Sequence, residues 1–155
     1  MAKYGSFSYG ELAYGANDSR FVFDRTMEDL KNRTEKAYIN NTDLNRVEAG
    51  IEYISSILNE YFYTQQPQVK KNWHMGQEPK AAADMERIRR NIKGLMCQFF
   101  VYNDTPPLPE DLNHIDIYKM NSIEKILNDL RVMISDMRVN LRECGVLQCG
   151  EGQHV

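Results

Sequence analysis

IYKMNSIEKILNDLRVMISDMRVNLRE, residues 117–143, decides the fold. Its apolar residues are Met120, Ile123, Leu127, Leu130, Ile134, Met137 and Leu141. They recur at alternating steps of three and four, the spacing of one face of a helix packed along its length. Ile126 and Met133 widen that stripe beyond a narrow two-stranded seam. Gly145 is well placed to cap the helix.

The same spacing recurs twice upstream. Leu44, Val47, Ile51, Ile54, Leu58 and Tyr61 repeat at three and four, predicting a helix from a cap at Thr42 or Asp43 to Tyr61. Met85, Ile88, Ile92, Leu95 and Phe99 predict another over Pro79–Phe100, with Pro79 in its first turn. Cys97 lies inside that run and reads as a small buried hydrophobe. A shorter helix is expected over Thr26–Ala37, with Thr26 as its cap and Glu28 and Asp29 in the first turn. Between the long helices lie YTQQPQVKKNWHMGQE (63–78), which holds the single tryptophan, Trp73, and DTPPLPEDLNHID (104–116), stiffened by three prolines. Trp73 either folds back over the helices or faces a partner, and it is a candidate interface residue.

The first 23 residues differ in kind. KYGSFSYGELAYG (3–15) carries three Tyr-Gly pairs, and glycine at this density opposes a helix. Phe7 and Tyr9 can share one face of an extended chain, as can Leu12 and Tyr14. The expected fold is therefore mainly α. A bundle of three long antiparallel helices and one short helix (24–145) follows an extended, strand-like N-terminal arm (1–23) and precedes a short C-terminal strand or tail (146–155).

Composition narrows the function. The chain has 155 residues and a net charge of −3, without the overall basicity of a nucleic-acid binder. No apolar run approaches the roughly 18 residues of a membrane-spanning helix. The N-terminus has no apolar segment of a secretory signal, so synthesis in the cytoplasm is expected. The histidines, at 74, 114 and 154, fall in loops or at the end, and of the three only His154 follows a glutamate, Glu151, by three residues, beyond the last predicted helix. A di-iron helical protein needs that Glu-x-x-His motif on each of two helices, and the predicted helices carry neither. Cys144 and Cys149 lack the second pair that a zinc site needs. No phosphate-binding loop, dinucleotide fingerprint or nucleophile elbow is present. The reading is of a non-enzymatic protein with no cofactor and no metal.

What remains is a protein that makes contacts. Nine Tyr, six Phe and eight Met are the residue types enriched at interfaces. Many of the tyrosines lie outside the helical stripes, Tyr38, Tyr102 and Tyr118 among them. One alternative is a stand-alone regulatory or binding module that uses the basic residues Arg87, Arg89, Arg90 and Lys93. A solvated helix face explains those better, with Glu86 four residues before Arg90.

Two phrases add a resemblance. AYINNTDLNRVEAGIEYISSIL, with Asn41 to Glu48, Ile51, Tyr53, Ile54 and Leu58, resembles the helical module of minor structural proteins from tail gene clusters of phages and prophages of Gram-positive bacteria. TPPLPEDLNHIDIYKMNSIEKILNDL, with Pro106 to Pro109, Asn121, Ile123, Glu124 and Leu127, is similar to a second phrase of the same proteins. SFSYGELAYG and the terminal CGEG are also similar. The resemblance implies a virion component of the tail tip, baseplate or fibre attachment. It also implies several copies in a symmetric or homo-oligomeric array and other tail or baseplate proteins as partners, with neither nucleic acid nor membrane. An adaptor role follows, in which Tyr4, Phe7, Tyr9, Leu12 and Tyr14 anchor the arm as a strand added to a neighbour.

Overall fold

The structure is a computed structural model that describes residues 21–61, 66–70, 72–74, 82–98 and 101–146, the side chains at 139 and 141–146 excepted. Within these residues the chain is mainly helical, with four α-helices and no strand. They are α1 (Met27–Lys31), α2 (Asn41–Glu60), α3 (Ala82–Met96) and α4 (Ile117–Val146), with a 3₁₀ turn at Glu35–Ala37. Residues 1–20 of the expected arm and the expected strand after Val146 lie outside the described residues.

The apolar stripes are the core. Leu44, Val47, Ile51, Ile54 and Leu58 of α2, Met85, Ile88, Ile92 and Leu95 of α3, and Met120 to Ile134 of the α4 stripe are all buried in one cluster. Phe21, Trp73 and Leu112 complete it from the non-helical segments.

The direction of the helices differs from the antiparallel arrangement expected. Residues 68–70 run backwards along α3: Gln68 C=O accepts from Arg87 and Asn91, and Lys70 pairs with Asp84. They then reach the start of α2, where Trp73 meets Asn41 and Asn45. Arg87, near the start of α3, also pairs with Glu48, near the start of α2. Residues 102–111 likewise descend α4, from Asp136 past Asp129 to Lys119. Glu124, early in α4, meets Arg46, early in α2, and both buried stripes continue C-terminally from that level. Helices α2, α3 and α4 therefore run in the same sense, and the described parts of the two connectors lead toward the starting end. Short loops would have forced neighbouring helices antiparallel. These long connectors do not.

Helix boundaries shift for local reasons. The expected helix over 26–37 is broken at Arg33, whose φ of 51° is left-handed. The Thr34 N–H reaches Asp29 C=O and the Arg33 N–H reaches Leu30 C=O, a Schellman ending with arginine where glycine is usual. Thr26 does cap α1, and Asp29 returns a bond to the Thr26 N–H at 2.8 Å. The cap of α2 is Asn40 rather than Thr42 or Asp43, and Asp43 closes the box by accepting from the Asn40 N–H at 2.9 Å. Helix α4 continues through Gly145 to Val146, so Gly145 is not its cap. Cys97 is exposed, not buried, because α3 ends at Met96 and the residue falls off the stripe of Ile88, Ile92 and Leu95.

Candidate functional site

The polar chemistry of the described residues concentrates where the three long helices begin. Asp43 and Arg46 lie in the first turns of α2, and Asn121 and Glu124 in the first two turns of α4. Arg25 enters from the segment before α1. Its guanidinium is 1 % exposed and Glu124 is fully buried.

Arg25 Nη2 donates to Asp43 Oδ1 at 2.8 Å and to Glu124 Oε1 at 2.9 Å. Its Nε donates to Lys36 C=O at 3.1 Å, and its Nη1 donates to Val22 C=O. Arg46 grips Glu124 through two bonds, Nε to Oε2 at 2.9 Å and Nη2 to Oε1 at 2.8 Å, and also pairs with Asp43. Glu124 Oε2 accepts the Val22 N–H at 2.5 Å. Two guanidiniums face two carboxylates, so the cluster is neutral as a whole and its buried charges have partners. Burial works against the charge on Arg46, but Glu124 and then Asp43 outweigh it and hold its pKa above the ordinary arginine value.

Two asparagines complete the arrangement in the same way. Asn121 accepts the Arg25 N–H at 3.2 Å and donates to Arg25 C=O at 2.8 Å. Asn45 accepts the Trp73 N–H at 2.8 Å and donates to Trp73 C=O at 3.2 Å. Each amide reads the donor and the acceptor of one main-chain residue in a non-helical segment. A third clasp joins α2 to α3, where Glu48 takes two bonds from Arg87, at 2.5 and 3.0 Å. The hydrogen bond and charge of Glu48 raise the Arg87 pKa.

Trp73 is folded back, 2 % exposed, with Lys70 Nζ 3.9 Å from the ring centre. The arm residues Tyr4, Phe7, Tyr9, Leu12 and Tyr14 lie outside the described residues. Of the basic set, Arg87 is bound to Glu48 and Arg89 to Glu86, so Glu86 pairs three residues on and not four. Arg90 and Lys93 are exposed and make no ion pair among the described residues. A shallow open cleft of about 370 Å³ lies beside them, lined by Arg89, Lys93, Met96, Cys97, Leu108 and Glu110. Among the described residues, no group of three His, Cys, Asp or Glu side chains converges as a metal set would. No helix of the described residues is long and apolar enough to cross a membrane.

The arrangement holds main chain in place. Asp43 and Glu124 are each buried and committed to guanidiniums. The sequence reading missed this cluster. Its members are up to 102 residues apart, and charges early in a helix ordinarily read as dipole partners. The one available signal lay in the two quoted phrases, because Asp43, Asn45, Arg46, Glu48, Asn121 and Glu124 all belong to them. Compared with known protein families, curated proteins and solved structures, the chain matches none.

Proposed function

We propose that this chain is a structural, non-enzymatic component of a phage tail, an adaptor at the tail tip, baseplate or fibre attachment. In this reading the three helices form a rigid spacer, the residues before Phe21 an extended arm, and the residues after Val146 a short strand. The arm adds a strand to a neighbouring protein through Tyr4, Phe7, Tyr9, Leu12 and Tyr14. Contacts that are weak singly add up because the copies are held in an array.

The observation that carries the reading is the clasp of Arg25, Asp43, Arg46, Asn121 and Glu124. It ties the root of the arm to the helical body, and its members on α2 and α4 come from the two phrases that resemble tail proteins. Exposed apolar side chains add support. Met27, Leu30, Tyr38 and Tyr118 stand on α1, just before α2 and in the first turn of α4. The alternative, a basic binding face, loses Arg87 and Arg89 to ion pairs within the chain.

Light scattering on the purified full chain, with and without neighbouring tail proteins, tests the choice. The expected result is a discrete multi-copy ring, or a monomer that joins a defined complex when a neighbour is added. A monomer that ignores tail proteins but binds nucleic acid with a steep salt dependence overturns it.

A further inference from the structure

We infer that Asn121 and Glu124 are positioning residues for the arm, fixing the main chain of residues 22–25 so that the preceding chain leaves from one place in one direction. The inference rests on the arm reading above and adds how the arm is aimed.

Residues 21–26 are in no helix or strand. A segment that needed only to be covered would be served by its apolar contacts, and Phe21 is indeed buried in the core. Yet the polar groups of its main chain are taken up one by one. The Val22 N–H goes to Glu124 and the Arg25 N–H to Asn121. Val22 C=O accepts from the Arg25 guanidinium, and Arg25 C=O accepts from Asn121. Glu124 and Asn121 lie one turn apart on α4, so they grip the segment at two points along the helix.

This pairing fixes register. A slip of one residue would move the Arg25 guanidinium away from Asp43 and Glu124 and leave charges buried without partners. Removing one member of such a pair is among the costliest changes a protein interior undergoes. Apolar packing tolerates slippage far better, so the polar grip specifies position more than it adds stability. A fixed exit point also confines the arm to a small volume, which raises its effective concentration at a neighbour held in an array.

The test uses the full-length chain and the variants Asn121→Ala and Asn45→Ala, compared by amide hydrogen exchange and limited trypsin cleavage. Asn121 is only half-buried, so its loss leaves the helices folded. In the unmodified chain, the Val22 and Arg25 amides should be protected and cleavage after Arg25 absent. In Asn121→Ala, exchange at Val22 and Arg25 should rise about 10- to 100-fold while helix amides change by less than about threefold, and cleavage after Arg25 should appear. Asn45→Ala should leave the protection of Val22 and Arg25, relative to the helix amides, and the absence of cleavage after Arg25 as they were. Unprotected Val22 and Arg25 amides in the unmodified chain, or an Asn121→Ala effect spread evenly over α2 and α4, overturn the inference. Neither readout depends on assembly. If exchange behaves as stated and the arm proves dispensable for assembly, the fixed root stands and the adaptor reading falls.

Discussion

The two ends of the helical body are held by different forces. Where α2, α3 and α4 begin, buried charges and amides make directed bonds: Arg25 to Asp43 and Glu124, Arg46 to Glu124, Arg87 to Glu48. Farther along, Ile54, Ile57 and Leu58 of α2, Leu95 of α3 and Leu130 and Ile134 of α4 are buried mainly by apolar packing, with Asp129, bonded to Thr105 and Lys125, as a buried charge among them. Apolar packing supplies most of the stability but accepts many registers and either helix direction. Directed bonds specify one arrangement. The starting end is also where residues 21–25 meet the helices, so specificity is concentrated where the proposed arm would be placed.

The sharpest way to break this contrast is Glu124→Ala. It leaves Arg25 and Arg46 buried without their shared carboxylate and should cost about 3–5 kcal/mol in urea unfolding. Leu127→Ala, one turn on in the apolar core, should cost about 2–5 kcal/mol through the cavity it leaves. The Leu127→Ala loss should not release Val22 or Arg25 to exchange, whereas Glu124→Ala should, and equal release by both would erase the contrast. Asn45→Ala unties Trp73 and should cost about 1–3 kcal/mol, with a red shift in the fluorescence of the single tryptophan. A smaller effect of opposite sign is expected at Arg33. Glycine suits its left-handed backbone, so Arg33→Gly should raise stability by up to about 1 kcal/mol in thermal melts.

The smallest expected effect is a pH response at Asp29, on the surface of α1. The hydroxyl of Thr26, then its backbone N–H, holds the Asp29 pKa below the usual carboxylate value. A lowered folded-state pKa stabilises above the unfolded value and is lost as pH falls through the folded one. The Asp29 contribution should therefore fade from about pH 4 downward, and Asp29→Asn should remove that part of the acid response.

The stripes of α2, α3 and α4 were legible in the sequence because burial on one face leaves a period of three and four. All the stripe members from Leu44 to Leu58, Met85 to Leu95 and Met120 to Ile134 are inside. Period says nothing about direction, however. The same sense of the three helices became visible only through pairings such as Glu48 with Arg87 and Glu124 with Arg46. The cap at Asn40 was hidden by three consecutive capping residue types, Asn41, Thr42 and Asp43, any of which fits the sequence. The break at Arg33 was hidden because arginine gives no local sign of a left-handed backbone. Trp73 was legible as one of two alternatives, and the clasp was marked only by the two quoted phrases, since most of its bonds join segments far apart in sequence.

We propose that the N-terminal arm makes the contact with a neighbour while the helices hold it in place. Deleting residues 2–20 and measuring both thermal unfolding and incorporation into tail particles tests this most directly. The expected result is a helical body with its melting preserved and incorporation abolished. Normal incorporation of the truncated chain would contradict it.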